Sequence, residues 1–221
     1  LGDAMPVRIN ALGSYFSAAT LCVKAAMLRG LEPLMMDMAC EPALVHHLMG
    51  VMQKGVMNRL DELEAGGFLF PNIGTAMLSS DPLRENNTGR YTLLDCWIHG
   101  NSQEFGPVSP EMFEEFLLNY QKPIFARFGA VCYGCCENLT RKLDAVLSIP
   151  NLKLLTCSAW TDMRTLVEKN DRRCCIMWRH KASDVVCPDD LEDFGKKLKE
   201  QIAILGDSHY QVILRELQTL M

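Results

Sequence analysis

The sequence predicts an α/β fold, a parallel sheet covered by helices. Three observations carry this. Short runs of strand-forming residues alternate with amphipathic helical stretches along most of the chain. No hairpin signal joins one strand to the next, so successive strands should be linked through helices. No Gly-x-Gly-x-x-Gly sequence follows any strand. That removes the strongest mark of an open, doubly wound, dinucleotide-binding sheet, which stays the main alternative to a barrel.

Residues 5–11 read as a strand, followed by the flexible Gly13-Ser14. An apolar helical pattern occupies 18–38, with Gly30 and Pro33 marking a break. Pro42 opens a clearer helix, in which Leu44, Leu48, Met52, Val56, Leu60 and Leu63 recur every three or four residues until Gly66-Gly67 stops it. Residues 68–71 form a short strand, and 72–106, rich in Asn, Gly, Ser and Asp, read as a long functional loop. Ser109-Pro110-Glu111 starts a helix: an N-cap hydroxyl, a proline in the first turn and an acid facing the helix dipole. Then follow a strand at 130–133, a helix at 137–147, a strand at 152–157, a helix at 161–169 and a strand at 174–178. A last helix runs from Pro188-Asp189 to Gly206, and a final strand covers 210–214. A closed eight-stranded barrel needs two strands more than these six, and usually about 250 residues.

At 221 residues the chain suits one domain, 1–221, around one core. A net charge of −5, with no basic run longer than two residues, speaks against nucleic acid as the main partner. No apolar stretch approaches the roughly 20 residues of a membrane-spanning helix. Leu1-Gly2-Asp3-Ala4-Met5-Pro6 lacks the charged start and apolar core of a signal peptide, so a cytoplasmic protein without membrane contact is expected. The ten cysteines include two adjacent pairs, Cys135-Cys136 and Cys174-Cys175, which suit a disulfide framework poorly. Most are expected to be small buried hydrophobes.

Five segments carry a resemblance. They are Leu28-Arg29-Gly30-Leu31-Glu32, Leu60-Asp61-Glu62-Leu63-Glu64, Ser109-Pro110-Glu111-Met112-Phe113-Glu114-Glu115-Phe116, Tyr133-Gly134-Cys135-Cys136-Glu137 and Ile149-Pro150-Asn151-Leu152. In this order and spacing the chain resembles the uroporphyrinogen decarboxylase-like family, in its branch of cobalamin-associated methyltransferases, from about Pro6 to Thr219. The resemblance implies a (β/α)8 TIM-type barrel of which this chain holds strands three to eight. A shortened chain, a fragmentary gene product or a partner chain completing the barrel would each account for the missing strands; oligomerisation is a further expectation. It also implies a corrinoid-linked methyltransferase of the demethylase type. Such an enzyme takes a methyl group from a small methylated substrate, with zinc-thiolate assistance and a corrinoid carried by a partner protein.

Barrel active sites sit at the C-terminal strand ends, and Cys132-Tyr133-Gly134-Cys135-Cys136-Glu137 lies at such a junction. Members of the methyltransferase branch bind zinc with sulfur and histidine from this strand end and a later strand. Cys132-x-x-Cys135 has a common zinc-ligand spacing, and Gly134 permits a sharp bend, but no second pair of the structural-zinc kind follows. Buried cysteines are the other reading. Cys132, Cys135 and Cys136 are therefore the candidate metal residues, with a further ligand from Cys157, His180 or Glu216. Glu216 is preferred because the family draws a ligand from near its last strand, where Gln218 is a poor one. Glu137 and Asp162 are the candidate catalytic acids, each with a helix-terminal role as the alternative. Trp97, His99 and Gln103, from a segment resembling the family's pocket cover, and His180, after the strand at 174–178, are substrate-binding candidates. His46 and His47 read as helix-surface or packing residues. Two departures from the family pattern stand out: Gln218 in place of a histidine, and Arg179-His180-Lys181-Ala182-Ser183 in place of a proline-containing turn. Two other functions are kept open: a decarboxylase-type lyase, which would want arginines and an aspartate from the first strands, and a non-catalytic corrinoid- or ligand-binding barrel fragment.

Overall fold

Among the described residues, five strands form one parallel sheet in the order in which the chain meets them. They are β1 (Trp97–Gly100), β2 (Ala130–Tyr133), β3 (Leu152–Cys157), β4 (Cys175–Arg179) and β5 (Tyr210–Ile213). The computed structural model describes residues 17–73, 82–186 and 190–214. A doubly wound sheet reverses its strand order at a switch point. Here the order β1-β2-β3-β4-β5 never reverses, so the sheet is compatible with part of an α/β barrel.

Among the described residues, three helices precede the sheet: α1 (Leu21–Arg29), α2 (Leu31–Cys40) and α3 (Pro42–Ala65). The chain passes from β1 to β2 through α4 (Pro110–Phe113), a wider π turn at Glu114–Leu118, and α5 (Asn119–Phe125). From β2 to β3 it uses a 3-10 turn at Thr140–Lys142 and α6 (Leu143–Leu147), and from β3 to β4 it uses α7 (Met163–Asn170). Between β4 and β5 lie α8 (Ala182–Val186) and α9 (Leu191–Leu205). The helix starts follow local chemistry. Ser109 Oγ accepts from the Met112 amide, Asp162 accepts from Thr165 N and Asp190 from Glu192 N, each satisfying an amide that the first helical turn leaves without a partner. No helix among the described residues is long and apolar enough to cross a membrane.

Side chains alternate across the sheet with the period of two that a strand imposes. Ile98, Val131, Tyr133, Leu155, Ile176 and Trp178 join the main core, where they meet Phe113, Phe125, Leu143 and Leu166 from the covering helices. Trp97, Ala130, Cys132, Leu154 and Met177 form a second, smaller cluster. Sheets buried on both faces read as near-continuous apolar runs, which is why β2 and β3 stand out in the sequence. At Gly129, just before β2, a Cβ would collide with the carbonyl of Leu94, so only glycine lets those two backbones approach.

Four of the six expected strands lie where the sequence places them, at 130–133, 152–157, 174–178 and 210–214, with ends shifted by a residue in the last two. The strand at 5–11 falls outside the described residues. Two corrections concern the middle of the chain. The stretch 72–106 is not one loop, because β1 lies within it. Conversely, 68–71 forms no strand. Asn72 borders β1 instead, its Nδ2 donating to the Trp97 carbonyl at 2.9 Å and its Oδ1 accepting from the Trp97 amide at 2.7 Å. One side chain thereby does for the edge of β1 what a neighbouring strand would do. The expected helix at 137–147 also starts late, with the 3-10 turn at Thr140–Lys142 leading into α6.

Candidate functional site

The C-terminal ends of β2, β3 and β4 open onto a cleft of about 320 Å³. Cys135 and Cys136 reach it from the loop after β2, Ser158 and Trp160 from the loop after β3, and Arg179, His180 and Lys181 from the end of β4. Trp160 is 64% exposed and, with His180, also borders a wider cleft of about 700 Å³ that includes Arg141, Asp162, Arg164 and Lys197.

The loop after β2 is held from below. Gly134 sits at φ 98°, a conformation that favours glycine, and an added Cβ would press on Thr156 and Leu139 at 3.1 Å. The Gly134 carbonyl accepts from His99 Nε2 at the end of β1 and from Thr156 Oγ1 in β3, both at 3.1 Å, so one oxygen ties three strands together. A carbonyl only accepts, which places the imidazole proton on Nε2. Burial, with the Arg179 charge adding to it, lowers the His99 pKa to about 4, so the ring is neutral at neutral pH.

Glu137 is buried and uses both carboxylate oxygens. Oε1 accepts from the Ser102 amide at 2.7 Å and from Ser102 Oγ at 3.2 Å, and Oε2 accepts from the Cys135 amide at 2.8 Å. It thus joins the loop after β1 to the loop after β2 and sets the direction of the Cys135 backbone. With both oxygens occupied, it acts as a brace for the thiols.

The cysteines divide by depth. Cys22, Cys96, Cys132, Cys157 and Cys174 are buried. Burial pushes the thiols of Cys96, Cys157 and Cys174 up to about 12, which leaves them protonated and unreactive. Cys132 packs in the smaller cluster with Trp97 and Met177, one layer beneath the cleft. Cys136 is exposed and Cys135 half-buried, with their sulfurs 3.7 Å apart. Arg179 Nη1 lies 3.5 Å from Cys135 Sγ and 4.0 Å from Cys136 Sγ. Partial burial, then the neighbouring Cys135, raises the Cys136 pKa, and Arg179 opposes that rise.

The remaining expected residues are spread around this centre. His180 lines the cleft, with its ring 5.2 Å from Trp178 and 5.4 Å from Phe194. Asp162 caps α7, and hydrogen bonds from Thr165 hold its carboxyl below the ordinary value. Trp97 and His99 are buried on the sheet, while Gln103 is exposed in a 3-10 turn at Gln103–Phe105, away from both clefts. His46 packs as expected, its Nδ1 2.7 Å from the Tyr120 hydroxyl. Glu216 and Gln218 lie outside the described residues.

For zinc, the separation of the two cleft sulfurs matches an edge of a tetrahedral ion with 2.3 Å bonds, about 3.8 Å. Among the described residues, however, no three His, Cys, Asp or Glu side chains come together in a metal-holding group. Arg179, Ser158, Trp160 and Lys181 are among the cleft residues that the sequence does not single out as a site. The available signal was an arginine closing an apolar strand, where period two carries it onto the same side as Met177. No protein-family model, curated protein or solved structure matches the chain.

Proposed function

We propose that the chain is part of a (β/α)8 barrel resembling the uroporphyrinogen decarboxylase-like family, and that it serves a corrinoid-linked methyl transfer at the Cys135–Cys136 thiols. The observation that carries this reading is the vicinal thiol pair facing a cleft at the C-terminal strand ends. The strand order supports the barrel, because a singly wound sheet continues into a closed one without a switch point. Cleft size supports a small substrate, since about 320 Å³ is at the low end of small-molecule sites.

In this reading Arg179 stabilises negative charge on the sulfurs, Glu137 orients the loop that bears them, and Trp160 with His180 limits the entry of water. Zinc, where bound, would take Cys135 and Cys136 as two of its ligands and supply Lewis acidity and thiolate stabilisation. The corrinoid would come on a partner protein and carry the cobalt chemistry.

The test is spectroscopic. Protein prepared with zinc is mixed with methylcobalamin and 2-mercaptoethanol, and the cobalamin absorbance is followed without oxygen. The thiolate sulfur takes the methyl group, the Co–C bond breaks, and its electron pair stays on cobalt. The expected result is an accelerated loss of methylcobalamin that falls at least about 100-fold in Cys135→Ala/Cys136→Ala, as loss of a covalent or ligating group should cause. No acceleration by the wild type, with cobalamin retained on the protein, would favour the ligand-binding barrel instead.

A further inference from the structure

The cleft walls carry a second message, in their charge. Arg179, His180 and Lys181 follow one another at the end of β4, and all three line the cavity. Among the described residues, no aspartate or glutamate lines it. The whole chain is acidic, with a net charge of −5, so this local balance does not follow from composition. Arg179 is only 6% exposed, and its Nη1 lies 3.5 Å from Cys135 Sγ, which places a permanent positive charge beside the thiols where water screens it little. Lys181 has an acidic neighbour in Asp184, at 3.9 Å, but both are well exposed and such a pair holds its lysine weakly. Concave sites lined by one sign of charge concentrate the opposite ion.

We infer that this cleft selects small molecules bearing an anionic group, a carboxylate or an acid of similar size, held by Arg179 and Lys181 with the rest of the molecule against Cys135 and Cys136. This names the substrate class of the methyl-transfer site proposed above and rests on that reading. It gives Arg179 two tasks, anchoring the substrate anion and stabilising the thiol pair.

Alkylation tests it without zinc, corrinoid or turnover, so its outcome is separate from that of the methyl-transfer assay. Iodoacetate and iodoacetamide have nearly the same size and react alike: the thiolate sulfur attacks the CH2 carbon, the S–C bond forms, the C–I bond breaks and iodide leaves. They differ in that only iodoacetate is an anion. Rates at Cys135 and Cys136 are measured by peptide mass spectrometry at low ionic strength, and the iodoacetate-to-iodoacetamide ratio is taken at each site. A change in thiol pKa alters both rates and cancels in the ratio. The expected result is a ratio that falls by roughly tenfold in Arg179→Gln and by a smaller factor in Lys181→Gln, with the exposed Cys40 unchanged. Malonate should protect the pair in the wild type while neutral malonamide should not. The exposed Lys181→Gln variant and the malonate comparison stand on their own if Arg179→Gln fails to fold. A ratio that neither substitution changes, or equal protection by malonate and malonamide, would overturn the inference.

Discussion

The loop after β2 and the loop after β4 meet across the same cleft, yet they are built in different ways. The first is anchored by buried groups: Glu137 grips Ser102 and Cys135, and the Gly134 carbonyl binds His99 and Thr156. The second presents Arg179, whose Nη1 reaches Cys135 Sγ across the cleft, followed by His180 and Lys181. Beyond Arg179 its described hydrogen bonds are local, such as His180 Nδ1 with the Lys181 carbonyl at 3.2 Å and Ser183 Oγ with Asp184 at 3.2 Å. One loop positions sulfur; the other supplies charge. Position demands a buried, fully bonded scaffold, whereas charge needs only access to the cleft. Substitutions in the first loop should therefore act on stability, and those in the second on ligand selection.

The largest effect is expected at Glu137. Glu137→Ala strands the buried Ser102 amide and the half-buried Cys135 amide and should cost about 4 kcal/mol in urea unfolding. Glu137→Gln, which keeps an acceptor oxygen, should lose about half as much. If Glu137→Ala unfolds like the wild type, the contrast between the loops collapses.

His99 comes next, through pH. Folded His99 takes a proton only near pH 4, whereas an unfolded histidine does so near 6.5, so the unfolded chain binds the additional proton between these values. Stability should therefore be intact above about pH 6.5 and fall on the way down to 4, by on the order of 3 kcal/mol for this group. Asp95, lowered to about 2 chiefly by its hydrogen bond from Arg84, adds its own loss only below about pH 4. Urea unfolding of His99→Asn at pH 7 and pH 5 should show a flatter response than the wild type; equal slopes would remove His99 as the source.

Gly134→Ala should cost about 2 kcal/mol, from left-handed backbone and from pressure on Thr156 and Leu139. Thermal unfolding reads this directly, and an unchanged midpoint would mean that the loop yields more easily than its bonds imply. The smallest effect is expected at Asp162. Asp162→Ala removes the cap of α7 for about 1 kcal/mol. Alkylation of Cys135 and Cys136 should stay the same in this variant; a change there would bring Asp162 into the site chemistry.

How far this contrast can be read without coordinates differs from element to element. β2 and β3 are legible because both of their faces are buried and their residues are almost all apolar or β-branched. The start of α4 is legible because Ser109 and Pro110 act on their own backbone. β1 is not, because Trp97-Ile98-His99-Gly100 is short, contains a histidine and a glycine, and is flanked by loop-forming residues. The importance of the segment after β2 shows in its three cysteines. Its division into a buried Cys132 and a cleft-facing Cys135–Cys136 pair does not, since depth below the sheet end is no local property.

By itself the sequence determined the alternation of strand and helix, most of the strands' places, the helix caps, and a cysteine-rich junction after β2. These follow from side-chain period and from bonds between residues a few positions apart. Only the tertiary structure decided that Glu137 is a brace, that His99 is buried and neutral, and that Arg179 stands beside the thiols. Each depends on partners 35 to 44 residues away. Neither period nor propensity carries information over that distance, because it is the sheet register that brings the strand ends together.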